Sequence, residues 1–235
     1  MDSHDLLDIR SLDKEDVLFL IKIAKDCERY NDMISYVNEY ADMVDIFTED
    51  EIKLFEEAYK FPLNKKRSNY LYFNGLSNSP TISETQKKNL NEYICKISTE
   101  ITDLCYIFFC IIERKLRFTI NNTCKSLYLK LKADFSKYLL IIGSISGEKV
   151  FDYYIEAIDC ANNLRCTDEI KLRTVLNFTA TCSECYKDFT KVFSICRKTF
   201  DDAVNNLEQL NDQEFEGIRV LLESLRGYVC LGGSF

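Results

Sequence analysis

Apolar residues recur at helical spacing along nearly the whole chain, and this periodicity constrains the fold more than any other feature. Val17, Leu20, Ile21 and Ala24 stand at positions i, i+3, i+4 and i+7, which places them on one helix face. Only seven Gly and two Pro are available for turns, whereas a sandwich or barrel needs turn residues every ~8–12 residues. The sequence therefore predicts an all-α protein.

The helical pattern breaks at polar segments, such as 48–50 and 74–83, that are typical of helix starts. The segments between the breaks predict about nine helices, two of them long, near 49–76 and 84–116. No Pro/Gly-rich linker divides the chain, so we expect a single helical domain over residues 1–235. A helical repeat array is the alternative, although no motif recurs at the ~34-residue period of tetratricopeptide repeats.

The charge balance bears on the class of partner. Lys and Arg number 30 against 38 Asp and Glu, a net charge of −8, so we expect neither nucleic acid nor a membrane as partner. The longest apolar run, residues 104–112, is shorter than the ~18–20 residues that span a bilayer, and we expect it to be core. The first residues, MDSHDLLDIRS, carry acids where a secretory signal needs positive charge, so we expect a cytoplasmic protein.

The cysteines and the single histidine argue against catalysis. Eleven cysteines, an odd number, replace apolar residues inside periodic segments, so we expect mostly buried, reduced, structural thiols, as at Cys105 and Cys110. His4 alone cannot supply a His-based site. Cys182 and Cys185 have redox-motif spacing but lie within a predicted helix, with no second pair and no nearby histidine. We therefore expect no enzyme activity, no metal and no cofactor.

Two clusters of cations lie on predicted helices. Lys60 and Arg67 are seven positions apart, so both point to one side of a helix and can reach one ligand. The alternative is an ordinary solvated basic face. The second cluster lies on one helix face, because its residues stand at i, i+4, i+7 and i+8; they are Lys130, Asp134, Lys137 and Tyr138. The alternative is an ordinary ladder of i, i+4 charge pairs.

A third segment places polar side chains beside apolar ones. Asn177 and Glu184 lie on one stripe of a predicted helix, next to Leu176 and Ala180. Such a stripe is either an ordinary helix edge or one wall of a binding groove.

The chain resembles the 14-3-3 family over essentially its whole length. The resemblance is carried by several segments in the order and close to the spacing of that family: IAKDCERYNDM (23–33), AYK (58–60), KRS (66–68), YLKLKAD (128–134) with KYL (137–139), LNFT (176–179) and KTFDDA (198–203).

The resemblance implies nine antiparallel helices in a cup-shaped dimer, in which the N-terminal helices dimerise and helices from about residue 49 onward line an amphipathic groove. It implies an adaptor or scaffold that binds phosphoserine or phosphothreonine peptides of client proteins. It also implies a phosphate site at Lys60, Arg67, Lys137 and Tyr138. The chemistry agrees, because cations and a phenol hydroxyl can neutralise and hydrogen-bond a dianion.

The remaining site residues also follow from the resemblance. The groove takes in Lys130, Asp134, Arg173, Leu176, Asn177, Ala180, Glu184, Ser224 and Tyr228, with Asn177 bonded to the peptide backbone. A homodimer, or a heterodimer with a related chain, places Arg29, Asp32, Tyr93, Lys96 and Glu100 at its interface, with Arg29 paired to Glu100 and Asp32 to Lys96 across the two-fold axis.

Several positions depart from the family pattern and predict a weakened groove. Lys137 replaces an arginine, and so lacks the planar fork that binds phosphate bidentately. Leu71 replaces another groove arginine, while Arg173 replaces a glycine and either obstructs the groove or supplies charge. In the last helix Ser224, Tyr228 and Gly232 replace a leucine, an asparagine and a tryptophan, and the usual acidic tail is absent. The alternative function is a 14-3-3-like scaffold that binds unphosphorylated partners.

Overall fold

Nine α-helices and no strand make up the part of the chain that the computed structural model describes, residues 11–232. The all-α prediction, the helix number and the two long helices are confirmed. His4 and the end of the chain beyond Gly232 lie outside the described residues. The helices are α1 (Lys14–Asp26), α2 (Tyr30–Met43), α3 (Glu49–Ser77), α4 (Glu84–Leu116), α5 (Asn122–Ile141), α6 (Gly147–Ala161), α7 (Glu169–Cys185), α8 (Phe189–Val204) and α9 (Asp212–Gly232).

Capping boxes begin both long helices. The Thr48 hydroxyl accepts a hydrogen bond from the Glu51 amide, and the Glu51 carboxylate accepts one from the Thr48 amide in return. Ser83 and Gln86 form the same reciprocal pair at the start of α4. Each box satisfies two backbone donors that the first helical turn leaves unpaired, and such a cap is worth about 1 kcal/mol.

The helices form two compact units, and the first, which ends at Phe118, contains α1 to α4. Its centre is aromatic: the rings of Phe55 and Phe108 stack at 4.7 Å between centroids, so α3 and α4 pack side by side. The ammonium of the buried Lys115 donates to the backbone carbonyls of Ala41, at 2.6 Å, and Val44. Lys115 thereby satisfies carbonyl groups that the end of α2 leaves without helical partners.

The second unit begins at Thr119 and contains α5 to α9. Tyr154, Phe178 and Leu225 lie in its core, each at most 1% exposed. The start of α6 approaches the end of α7 so closely that a Cβ on Gly147 would lie 2.1 Å from the carbonyl oxygen of Cys185. Only glycine fits there. The prediction of one domain over residues 1–235 stays a prediction, as do the cup shape and the dimer.

The expectation that most cysteines are buried is wrong. Four are buried, three are partly exposed, and four are exposed: Cys27, Cys95, Cys110 and Cys230. The predicted core run at 104–112 contains both kinds, since Cys105 is buried and Cys110 is exposed. Nine consecutive apolar residues turn through about two and a half helical turns, so they cannot all face the core.

Candidate functional site

Lys60 and Arg67 lie on the exposed side of α3, as their spacing predicts. The Lys60 ammonium is 3.1 Å from the Glu56 carboxylate one turn earlier, and its side chain is about half exposed. Among residues 11–118, the described part of the first unit, Arg67 makes no ion pair that would hold its guanidinium away from a ligand. The face is therefore solvated and cationic, and Arg67 is its more available charge.

Lys130 and Asp134 form a buried ion pair on α5. Their charged atoms are 2.6 Å apart, and their side chains are only 5% and 10% exposed. The sequence alternative of a solvated i, i+4 ladder therefore does not describe this pair. Because Asp134 neutralises Lys130 at short range inside the protein, Lys130 adds no net charge to the surface around it.

Asp134 is the centre of a hydrogen-bond network that links three helices of the second unit. Its Oδ1 accepts from the Tyr154 hydroxyl on α6 at 2.7 Å, and both carboxylate oxygens lie 3.0 Å from the Asn177 Nδ2 on α7. The Tyr154 hydroxyl is also 3.4 Å from the Thr181 Oγ1. The network fixes the Asn177 amide with its Nδ2 toward Asp134, so its Oδ1 is left to accept from another donor.

The protonation states agree with this geometry. Burial by itself would raise the pKa of the Asp134 carboxyl, but the charge and hydrogen bond of Lys130 and the hydrogen bond of Tyr154 outweigh it and hold that pKa below its ordinary value. Burial, and then the charge of Asp134, raises the pKa of Tyr154 well above its ordinary value. The carboxylate is therefore an acceptor and the phenol a donor at neutral pH.

Lys137 and Tyr138 lie one turn beyond Asp134 on α5. Tyr138 is 1% exposed and packs edge-on against Phe135, with 5.6 Å between ring centroids. The Lys137 ammonium lies over the Tyr138 ring, 5.4 Å from its centroid, and it contributes to lowering the pKa of Asp134. The Lys137 side chain is partly exposed, so an anion at the surface can reach its ammonium.

The open face of α7 carries the other predicted groove residues. Leu176, Asn177 and Ala180 are partly exposed, whereas Arg173 and Glu184 at the two ends are exposed. The Arg173 Nη2 is 2.5 Å from the Glu169 carboxylate. The remaining side chains from Leu172 to Cys182 are buried, except for Thr181, which is partly exposed. The stripe predicted from the sequence is thus the open side of the helix.

Helix α9 offers less to a ligand than the family pattern predicts. The Ser224 hydroxyl donates to the Val220 carbonyl at 2.8 Å on its own helix. Tyr228 is half-buried and packs against the core of the second unit. Gly232, the last described helical residue, has no side chain to offer.

Four of the five predicted interface residues have partners within the chain. Arg29 pairs with Asp32 one turn later on α2, and Glu100 on α4 lies 2.5 Å from the Lys66 ammonium on α3. Lys96 and Tyr93 are exposed, and the Tyr93 ring packs edge-on against Phe73. A dimer that pairs Arg29 with Glu100 would have to exchange two of these intrachain contacts, and the interface stays a prediction.

Sequence reasoning missed Tyr154, Glu169 and Lys66, each of which holds a predicted site residue in place. The Glu169–Arg173 pair had a local signal, because four residues separate opposite charges on one helix. Tyr154 had none, since its bond to Asp134 spans 20 residues. In the described part of the chain no group of three or more potential ligands could hold a metal, and no helix is long and apolar enough to cross a membrane.

The first unit thus carries cations on an open helix face, and the second unit carries a fixed amide beside a buried carboxylate; both are groups suited to binding a ligand. The sequence profile described as "14-3-3 protein" matches residues 20–231. The chain is 26% identical to 14-3-3 protein homolog 1 of Schistosoma mansoni over 97% of this chain and 93% of the relative. It is 26% identical to 14-3-3 protein zeta of Bombyx mori, over 94% and 92% of the two chains.

A 14-3-3-like protein of Fucus vesiculosus is 27% identical over 93% of this chain and 90% of its own length. The match to the family profile extends over nearly the whole chain, so the chain belongs to the 14-3-3 family. This membership supports an adaptor or scaffold role, because 14-3-3 proteins are adaptors that bind client proteins rather than enzymes.

Proposed function

We propose that this protein is a phosphopeptide-binding adaptor that regulates client proteins carrying phosphoserine or phosphothreonine. The observation that carries the proposal is the hydrogen-bond network around Asp134. It fixes the Asn177 amide and keeps the region between α5 and α7 polar, and the Lys137 cation lies one turn further along α5. A fixed amide beside a cation suits an extended ligand that carries negative charge.

The phosphate is assigned to Lys60, Arg67, Lys137 and Tyr138. Three cations compensate a phosphate charge of about −1.5 to −2, and the phenol adds a neutral donor. Lys130 is left out of this set, because Asp134 already neutralises it. Recognition should therefore depend on the phosphate.

The groove is proposed to be weak. Lys137 supplies a point charge instead of a guanidinium fork, and the loss of one charge-assisted hydrogen bond costs at most about 1.5–3 kcal/mol. Ser224, whose hydroxyl returns to its own helix, and Gly232 give the flanks of a peptide little to contact. We expect micromolar or weaker affinity, about −8 kcal/mol or less favourable.

Fluorescence anisotropy with a phosphoserine peptide and its unphosphorylated twin tests the proposal. The unmodified peptide should bind at least tenfold more weakly. Arg67→Ala should abolish phosphopeptide binding, whereas Lys65→Ala, which removes an exposed cation two positions away, should change it less than twofold. Lys137→Arg should tighten binding, by at most about ten- to a hundredfold.

Equal binding of both peptides, with no loss in Arg67→Ala, would refute phosphate recognition. That result would favour the second candidate, a scaffold for unphosphorylated partners. Arg173 and the changes at Ser224 and Tyr228 favour this candidate, because they alter the groove away from the phosphate residues.

The proposal includes a dimer through α1 to α4, as a homodimer or with a related chain, and a cytoplasmic location. Support for the dimer comes from exposed apolar side chains on the first unit, among them Phe19 at 60% and Tyr93 at 53%. Exposed apolar side chains mark a partner surface where they form a contiguous patch.

A further inference from the structure

Arg173 is the exposed cation on the open face of α7. Its side chain is 48% exposed, whereas that of Lys130, on the neighbouring α5, is 5% exposed and already paired. Arg173 precedes Asn177 by one helical turn on the same face, and Asn177 is the residue that contacts Asp134. A segment lying along Asn177 therefore passes the Arg173 guanidinium.

The ion pair of Arg173 leaves it able to bind a second anion. The contact to Glu169 uses Nη2, and both side chains are about half exposed. Exposed i, i+4 pairs contribute only a few tenths of a kcal/mol, so a ligand can displace or share this one. A guanidinium carries five N–H donors, and its two bidentate edges are Nε with Nη2 and Nη1 with Nη2. Because Nη2 carries two N–H groups, a carboxylate or phosphate can take one of these edges by sharing Nη2 with Glu169 or by displacing Glu169.

Helix directions set the distance between Arg173 and the phosphate residue Lys137. Helix α6 runs antiparallel to α5, since Ser126 contacts Cys160 near one end and Asp134 contacts Tyr154 further along. Helix α7 runs antiparallel to α6, because Tyr154 packs on Phe178 and Gly147 meets Cys185. Helices α5 and α7 are therefore parallel.

The contact between Asp134 and Asn177 fixes the register of these parallel helices. Lys137, three residues after Asp134, is thus level with Ala180. Arg173 precedes Ala180 by seven residues, which is about 10 Å along the helix. An extended chain advances about 3.3 Å per residue, so this distance corresponds to about three residues of ligand.

We infer that Arg173 selects phosphorylated ligands that carry an acidic side chain, or a second phosphate, about three residues from the phosphoresidue. The inference rests on the proposed function, because the distance is counted from a phosphate at Lys137. The sequence left two interpretations of Arg173, that it obstructs the groove or that it supplies charge. The inference favours the second: Arg173 contributes charge to ligand binding.

Four phosphoserine peptides test the inference: one with Ala at −3 and +3, one with Glu at −3, one with Glu at +3, and one with Lys at the better of these two positions. The wild-type protein should bind one Glu peptide about three- to fivefold more tightly than the Ala peptide. Arg173→Ala should remove this preference, and Arg173→Glu should shift it to the Lys peptide. Glu169→Gln, which frees the guanidinium, should strengthen binding of the Glu peptide but not of the Ala peptide.

Arg219→Glu is the matched control. Arg219 is a similarly exposed arginine that pairs with Glu216 and Glu223 on α9, so its reversal changes the net charge equally. This variant should keep the wild-type preference. Equal affinity for the Ala and Glu peptides, or a Glu preference that survives in Arg173→Glu, would overturn the inference while the phosphate dependence stands. Failure of all four peptides to bind would instead refute the proposed function.

Discussion

Removing the Asp134 carboxylate should destabilise the second unit more than any other single polar change there. Asp134→Ala leaves the Lys130 ammonium buried without its counterion and takes the acceptor from Tyr154 and Asn177. Breaking a buried pair on one side costs about 3–5 kcal/mol. By comparison, Tyr154→Phe removes the hydrogen bond to Asp134 and the longer contact to Thr181, and should cost about 1–2 kcal/mol.

Urea denaturation followed by helical circular dichroism measures these changes, provided that the m-value stays constant. The decisive comparison is a double-mutant cycle of Lys130→Met with Asp134→Leu. Each single variant strands a charge, whereas the double variant strands none, so it should be at least about 2 kcal/mol more stable than the sum of the single losses predicts. Additive losses, or a cost below about 1 kcal/mol for Asp134→Ala, would refute the argument that this pair is buried and coupled.

The stability of the protein at acidic pH should also depend on the Asp134 carboxylate. The pKa of Asp134 is lower in the folded protein than in the unfolded chain, where it is about 3.9. The unfolded state therefore takes up the proton first as the pH falls. The stabilising contribution is fully present above about pH 4 to 5 and is lost as the pH falls through the folded pKa. The double variant should lack this part of the acid sensitivity between pH 5 and 2.

Three further outcomes follow from local geometry. Gly147→Ala should lower the free energy of unfolding by about 1–3 kcal/mol because its Cβ meets the Cys185 carbonyl, whereas Gly217→Ala, in open space on α9, should raise it by about 0.5–1 kcal/mol; equal effects in urea denaturation would contradict the tight contact. Maleimide should label Cys110 quickly and Cys105 slowly, since burial raises the pKa of Cys105 to about 12. Mass spectrometry measures the two labelling rates, and faster labelling of Cys105 would contradict this prediction. Lys96→Glu should weaken the proposed dimer in sedimentation at micromolar concentration, and a monomer that the reversal leaves unchanged would contradict the interface.

The helices were predictable because their signals are local. Period 3.6 and the caps at Thr48 and Ser83 depend on residues within a few positions of one another, and they place the long helices within a residue or two of their observed ends. The exposure of Cys110 was not predictable in this way. An uninterrupted apolar run contains no polar residues to mark its exposed side, so the pattern cannot show which of its residues face the core.

The buried network around Asp134 could not be predicted in full from the sequence. The i, i+4 spacing of Lys130 and Asp134 predicts their contact but not their burial, and burial changes a pair worth a few tenths of a kcal/mol into one whose disruption costs several. The partners Tyr154 and Asn177 are 20 and 43 residues away from Asp134, so only the packing of α5, α6 and α7 brings them together.

The distribution of burial also indicates how this chain can differ from its relatives in what it binds. Asp134, Lys130 and Tyr138 are buried, so a change at any of them would first affect stability. Lys137, Arg173 and Ser224 are partly or fully exposed, so replacing them costs the fold little and acts mainly on the ligand. These three departures from the family pattern belong to the second group, whereas Tyr228 packs against the core. Under the proposed function, such changes alter ligand preference while the Asp134 network is retained. The peptide comparisons at Arg173 are therefore expected to detect a change in specificity rather than a loss of binding.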